Sequence, residues 1–139
     1  MKKHTAAAEW RGSIKDGKGK LSSKSKVLDG KEYSFKSRFE NGEGTNPDEL
    51  LAASHAGCFA MATSLMLGEE GFTPEYLQAS AEVTMDPEKL NIVSSHLTLK
   101  GKVPEISLEK FMEIANKAKD NCPISKVMNC NISLDATLE

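Results

Sequence analysis

The chain has 139 residues, 39% apolar and 27% charged, with a formal net charge of -2, enough for one domain with a genuine core and ordinary for a globular protein. That charge gives no electrostatic reason to expect nucleic acid or an anionic membrane surface as a partner. No long apolar run follows the lysines of MKKHTAAAEWRG, so the start does not read as a secretory signal. A cytoplasmic location is the resulting expectation, where the three cysteines stay as thiols unless a disulfide forms transiently in catalysis or redox sensing.

The first third reads as strands. AAAEWRGSI and KLSSKSKV flank Asp16-Gly17, and SKVLDGKEYSFKSRF carries Asp29-Gly30, both pairs suited to hairpin turns. Tyr33 and Phe35 alternate with Ser34 and Lys36, the pattern of a half-buried strand. Glu40 to Thr45, with two glycines and no apolar residue, is a loop. Asn46 then suits an N-cap and Pro47 the first helical position, with Asp48 and Glu49 in the first turn, where negative charge favours the helix dipole. Glu49 also holds the capping-box position relative to Asn46.

From Leu50 to Leu67 the polar residues are only Ser54, His55, Thr63 and Ser64. A helix so apolar on every side is buried on most sides. Its longest apolar run, around Cys58 to Leu67, is broken by Thr63 and Ser64 and is too short to span a bilayer, so no membrane is expected. Gly68 and Gly71 end it. Two strands follow, YLQASAEVTM and NIVSSHLTLKGKV, joined by a turn at Asp86-Pro87. Ser107 caps a second helix with Leu108, Phe111, Met112 and Ala115 on one stripe, and Pro123 stops it near Asn121 and opens a short third helix through Met128. Cys130, Ile132, Leu134, Ala136 and Leu138 share one parity of a last strand.

The order β-β-β-α-β-β-α-α-β over residues 1–139 predicts a single α+β domain, with an antiparallel sheet wrapped against a central apolar helix. One sheet and two helices rarely enclose such a helix alone. An obligate homodimer, with the Cys58 helix near the interface, is therefore expected.

Each cysteine admits more than one use. Cys130 shares its face with apolar residues and reads as a small core hydrophobe. Cys122 precedes a proline between two helices, where amide donors lower a thiol's pKa, but any small residue would serve such a boundary. Cys58 lies about three turns into its helix, beyond the reach of the dipole, and apolar burial raises a thiol's pKa. A reactive Cys58 needs a cation or a donor. Candidates are His55, at i-3, and Arg38, whose fork Asp48 or Glu49 could hold. Alternatively Cys58 is one of the small residues, with Ala52, Ala53, Ala56 and Gly57, that allow close helix packing. For a metal, only the His55/Cys58 pair has ligand spacing.

FKSRFE, GTNPDELLAASHAGCFAMATSLMLGEEGFTP and KAKDNCPISKVMN, with AEWRGSIKDGKG near the start and ISLDATL at the end, together resemble the OsmC branch of the OsmC/Ohr family of thiol-dependent peroxidases. The resemblance implies an intertwined homodimer in which sheets wrap around paired central helices, with two active sites at the interface. It implies a two-cysteine reduction of peroxides, organic hydroperoxides above hydrogen peroxide, with no bound cofactor and a lipoyl or thioredoxin-like dithiol as reductant. Carried over by motif, Cys58 is the peroxidatic thiolate, Cys122 the resolving thiol, and Arg38 the activating cation. The acid after the helix proline is usually glutamate in this family and is Asp48 here, so either Asp48 or Glu49 orients Arg38. The family's Ohr branch has a tyrosine in place of His55. Leu51, Phe59, Met61 and Met66 would suit a hydrocarbon substrate, and equally a plain core. Against this stand a non-catalytic binding protein with inert thiols and a His/Cys metal-binding protein.

Overall fold

A computed structural model describes all residues, Met1–Glu139. The elements are β1 (Ala6–Arg11), β2 (Lys18–Ser23), β3 (Lys31–Tyr33), α1 (Phe35–Phe39), α2 (Pro47–Glu69), β4 (Tyr76–Asp86), β5 (Asn91–Lys102), α3 (Leu108–Asn121), α4 (Pro123–Val127) and β6 (Asn131–Leu138). They fall into two compact units, Met1–Leu50 and Leu51–Glu139.

In the first unit β1, β2 and β3 form an antiparallel sheet in that order, with the rings of Trp10 and Tyr33 packed at a tilt of 58°, centroids 5.5 Å apart. The strand expected to run on through Phe35 stops at Tyr33, and a short helix follows. Its cause is local. Ser34 Oγ accepts from the Ser37 amide at 3.1 Å, and Ser37 Oγ accepts from the Ser34 amide at 2.9 Å. This reciprocal cap outweighs a brief alternation of apolar residues. The loop from Glu40 to Thr45 and the cap at Asn46 are as expected: Asn46 Oδ1 accepts from the Glu49 amide at 2.8 Å.

In the second unit β4, β5 and β6 form one sheet. β4 and β5 are an antiparallel hairpin, whose turn is held by Asp86 Oδ1 accepting from the amides of Glu88 and Lys89. β5 and β6, however, pair in parallel. The antiparallel expectation missed this because α3 and α4 lie between them, and a helical crossover returns the chain to the end of the sheet where it started. One sheet face carries Leu97 and Leu99 of β5 and Ile132, Leu134 and Ala136 of β6, packed with Phe59 and Leu67 of α2 and Phe111, Ile114, Ala115 and Ala118 of α3. Each large member, fully withdrawn from water, contributes about 1.5–3 kcal/mol to the fold. The buried stripe of α3 is therefore displaced from the one predicted, and Leu108 is 58% exposed. β6 begins at Asn131, which leaves Cys130 outside the strand, half-buried and apart from this core.

Helix α2 buries a single stripe, His55, Phe59, Thr63 and Leu67, at four-residue spacing. It closes with Gly71 at a φ of 86°, where the Phe72 amide donates to the Leu67 carbonyl at 2.9 Å and the Gly71 amide to the Gly68 carbonyl at 3.0 Å. That pair of bonds requires a left-handed residue, which glycine supplies without strain. Cys58, Ala62 and Met66 pack at the margin of the core, and the opposite face of α2 is open, with Met61 77% and Leu65 64% exposed. By length and composition alone this helix could cross a membrane.

Candidate active site

Arg38 and Asp48 form a forked pair in the first unit. Nε donates to Oδ2 at 3.2 Å and Nη2 to Oδ1 at 3.0 Å. Asp48 is the more enclosed partner, with its side chain 15% exposed against 36% for Arg38. Two parallel bonds fix the plane of a guanidinium as a single contact cannot. Glu49, the other candidate, has a carboxylate that instead accepts from Thr45 Oγ1 at 2.6 Å and bonds neither the Asn46 amide nor Arg38. The one-methylene-shorter acid therefore holds the arginine. Arg38 also lines a cleft of about 250 Å³ with Trp10, Ile14, Tyr33, Phe35 and Phe39.

In the second unit Cys58 and Cys122 meet. Cys58 is half-buried on α2, and Cys122 is fully buried at the α3–α4 junction. Their sulfurs face one another closely enough to interact by hydrogen bonding and by charge, and the Ile124 backbone N–H also faces the Cys58 sulfur. Burial pushes the Cys58 thiol up, the Ile124 amide pulls it down, and the Cys122 sulfur pushes it up again. The local meeting follows from the Cys-Pro dipeptide. Cys122 caps α4, its sulfur accepting from the Ser125 amide at 3.4 Å, which turns the side chain inward toward α2.

His55 is fully buried on the same helix as Cys58. Its Nδ1 lies 2.7 Å from Ser95 Oγ and its Nε2 2.7 Å from Ser125 Oγ. Both ring nitrogens are thus engaged, and neither is free for a metal; this removes the support for a His55/Cys58 metal pair. Ser125 Oγ is in turn 3.0 Å from Cys122 Sγ. Ser95 and Ser125 are the site residues that sequence reasoning missed. Two signals were present: Ser95 shares strand parity with Leu97 and Leu99, and Ser125 stands three residues after the capping Cys122.

Cys130, whose thiol burial also pushes up, lies beside Leu90, Ile92 and Val93 and is not brought to the other two cysteines. Of the residues expected to receive a hydrocarbon group, Phe59 is buried in the core, Met66 packs against that core and Met61 is exposed.

Burial holds the His55 imidazole below its usual range. The folded chain keeps it neutral at pH values where the unfolded chain has taken up a proton. Its contribution to stability is therefore complete above about pH 6.5 and is lost as pH falls through the folded-state value. We expect stability to decline by up to about 1.4 kcal/mol per pH unit from this group on acidification. Urea titrations across that range check it, compared with His55→Gln, which removes this share of the slope; an identical slope in the variant assigns the effect to other groups.

Residues 40–137 match the sequence model of a family described as OsmC-like protein. The chain is 46% identical over 134 residues to Peroxiredoxin OsmC of Escherichia coli (strain K12), spanning 95% of this chain and 94% of that protein. It is 32% identical over 101 residues to an organic hydroperoxide resistance protein-like protein of Staphylococcus aureus (strain MRSA252), spanning 68% of this chain and 69% of that protein. Among solved structures, an OsmC-like protein from Mycoplasma pneumoniae superposes with a TM-score of 0.74 at 17% identity, covering 99% of this chain and 97% of that one.

Proposed function

The chain belongs to the OsmC-like family, and on that premise we propose that it is a thiol-dependent peroxidase working through a Cys58–Cys122 disulfide. The observation that carries this reading is that those two sulfurs, distant in sequence, lie near enough to act on one another, Cys122 buried and Cys58 half-buried beside it. Cys58 takes the first step because it is the more accessible of the two. Its thiolate attacks the distal oxygen of a hydroperoxide. An S–O bond forms, the O–O bond breaks, and the alkoxide leaves and takes a proton to become an alcohol. The Cys122 sulfur then attacks the sulfenic sulfur of Cys58. An S–S bond forms, and the S–O pair departs with the oxygen, which leaves as water. A dithiol reopens the bridge by exchange.

A buried thiolate needs compensating charge. The Ile124 amide supplies part of it, and we assign the rest to Arg38, whose fork Asp48 holds in one plane. The likeness to an organic hydroperoxide resistance protein-like protein leads us to assign a preference for a hydroperoxide with a hydrocarbon group over hydrogen peroxide. Steady-state turnover with a dithiol tests both assignments. A bulky alkyl hydroperoxide is consumed faster than hydrogen peroxide, and Arg38→Ala slows consumption about 10²-fold, the usual loss of one charge-stabilising donor. Equal rates for the two peroxides, or full activity in Arg38→Ala, contradict the respective assignment.

We also propose that two copies associate through the open face of α2. Ala53, Gly57, Ser64 and Gly68 lie along one line there, with Met61 and Leu65 beside it. Small residues let a second helix approach closely, and the exposed apolar pair is then withdrawn from water. Sedimentation equilibrium should give twice the chain mass of 15.1 kDa, and Met61→Glu should return the chain mass; a dimer that survives this change uses another surface.

A further inference from the structure

The peroxidase cycle leaves one buried titratable group without a task. His55 is fully enclosed, both its nitrogens are bonded to serines, and one of those serines touches the sulfur that closes the disulfide. A histidine that merely fills space needs partners for its two nitrogens. It does not need one of them to end on a reacting atom.

From this geometry we propose that Ser125 and His55 form a proton relay for Cys122, with Ser125 touching the reacting sulfur and His55 acting through it as a positioning residue. The inference rests on the peroxidase reading above. The Ser125 hydroxyl carries one proton between two acceptors, Cys122 Sγ at 3.0 Å and His55 Nε2 at 2.7 Å. In the resting thiol, Cys122 S–H donates to Ser125 Oγ, Ser125 O–H donates to Nε2, and Nδ1–H donates to Ser95 Oγ. As Cys122 attacks, its proton passes to Ser125 while Ser125 passes its own to Nε2. The thiolate then accepts hydrogen bonds from the Ser125 hydroxyl and the Ser125 amide.

The sulfur lone pair forms the S–S bond, the S–O pair of the sulfenic acid leaves with the oxygen as hydroxide, and the imidazolium returns its proton through Ser125, whose own hydroxyl proton goes to that hydroxide. One sulfenic acid and one thiol become one disulfide and one water, so no external acid or base is consumed. Burial, which disfavours the charged ring, makes the return of the proton downhill. The other titratable groups of this region are Cys122 itself, reached through α4, and Cys58, three residues along α2. From β5 only the hydroxyl of Ser95 meets the ring, and no Asp, Glu, Lys or Arg is buried.

The test mixes the full-length reduced protein rapidly with one equivalent of an alkyl hydroperoxide and follows two events: appearance of sulfenic acid on Cys58, then its loss as the disulfide closes. In Ser125→Ala, sulfenic acid should accumulate. Closure should slow about 10²-fold, the size of a general-base contribution, and should gain a dependence on hydroxide, rising about tenfold per pH unit through neutrality where the wild type is nearly flat. Ser125→Thr, which keeps the hydroxyl, should restore the wild-type pH profile. His55→Gln should reproduce the altered profile, and the two serine variants decide the matter alone if that protein does not fold. Closure in Ser125→Ala that is unchanged, or slowed by one factor at every pH, overturns the relay. A wild-type protein that forms no sulfenic acid removes the underlying peroxidase reading and the relay with it, a result distinct from normal sulfenic acid formation with unaltered closure.

Discussion

Cys58→Ser abolishes peroxide turnover, with a loss of about 10⁴-fold or more, as follows when the nucleophile of a covalent mechanism is removed. A serine hydroxyl at the same place ionises far less readily than a thiol, and its oxygen cannot be cycled through a sulfenic state. Nothing nearby can take over. Cys122 is wholly buried and Cys130 stands apart from the pair. The fold tolerates the change, because Cys58 is only half-buried and packs at the margin of the core. Hydroperoxide consumption in the presence of dithiol is the measurement. Retained turnover would place the nucleophile at another residue.

The second large effect belongs to Cys122→Ser. Serine caps a helix at least as well as cysteine, so α4 keeps its start and Ser125 keeps a partner. The substitution also takes away a sulfur that pushes the Cys58 thiol up, so the first attack is at least as fast as in the wild type. What fails is closure. Each chain consumes one equivalent of hydroperoxide and stops with Cys58 as sulfenic acid, which climbs to the sulfinic state under excess peroxide. Steady turnover with dithiol should fall about 10²-fold or more, as expected when an intramolecular partner held in place is lost. Continuous cycling at the wild-type rate would remove Cys122 from the mechanism.

Those outcomes turn on features that the sequence carried unequally. The start of α2 at Asn46-Pro47, the cap at Ser107 and the break at Cys122-Pro123 were all legible, because each is decided by residues within one helical turn. The parity of Ile132, Leu134, Ala136 and Leu138 likewise identified the inner face of β6. What escaped was decided by partners far along the chain. The parallel pairing of β5 with β6 depends on the path taken by α3 and α4. The stripe of α3 shifts because the core it meets is assembled from three other elements, which leaves Leu108 in water. Cys130 obeyed the parity of its strand but sits just before the strand begins.

The site followed the same division. Family resemblance placed Cys58 and Cys122 in one mechanism, and the fold brings their sulfurs together. It could not choose between Asp48 and Glu49, two adjacent acids in one turn. That choice is made by the geometry of α1, which presents Arg38 to Asp48 and leaves Glu49 to Thr45. Sequence reasoning saw His55 as a neighbour of Cys58 along the helix. Its bonds instead run to a strand and to another helix, both remote in sequence, and reach the second cysteine.

Peptide mapping reads the Cys58–Cys122 bridge itself. The reduced protein receives one equivalent of alkyl hydroperoxide, free thiols are alkylated under denaturing conditions, and the digest is read by mass spectrometry. One new cross-linked species joining Cys58 to Cys122 is expected, with Cys130 recovered alkylated. Recovery of all three cysteines alkylated after the peroxide is consumed, or a bridge that includes Cys130, would contradict it.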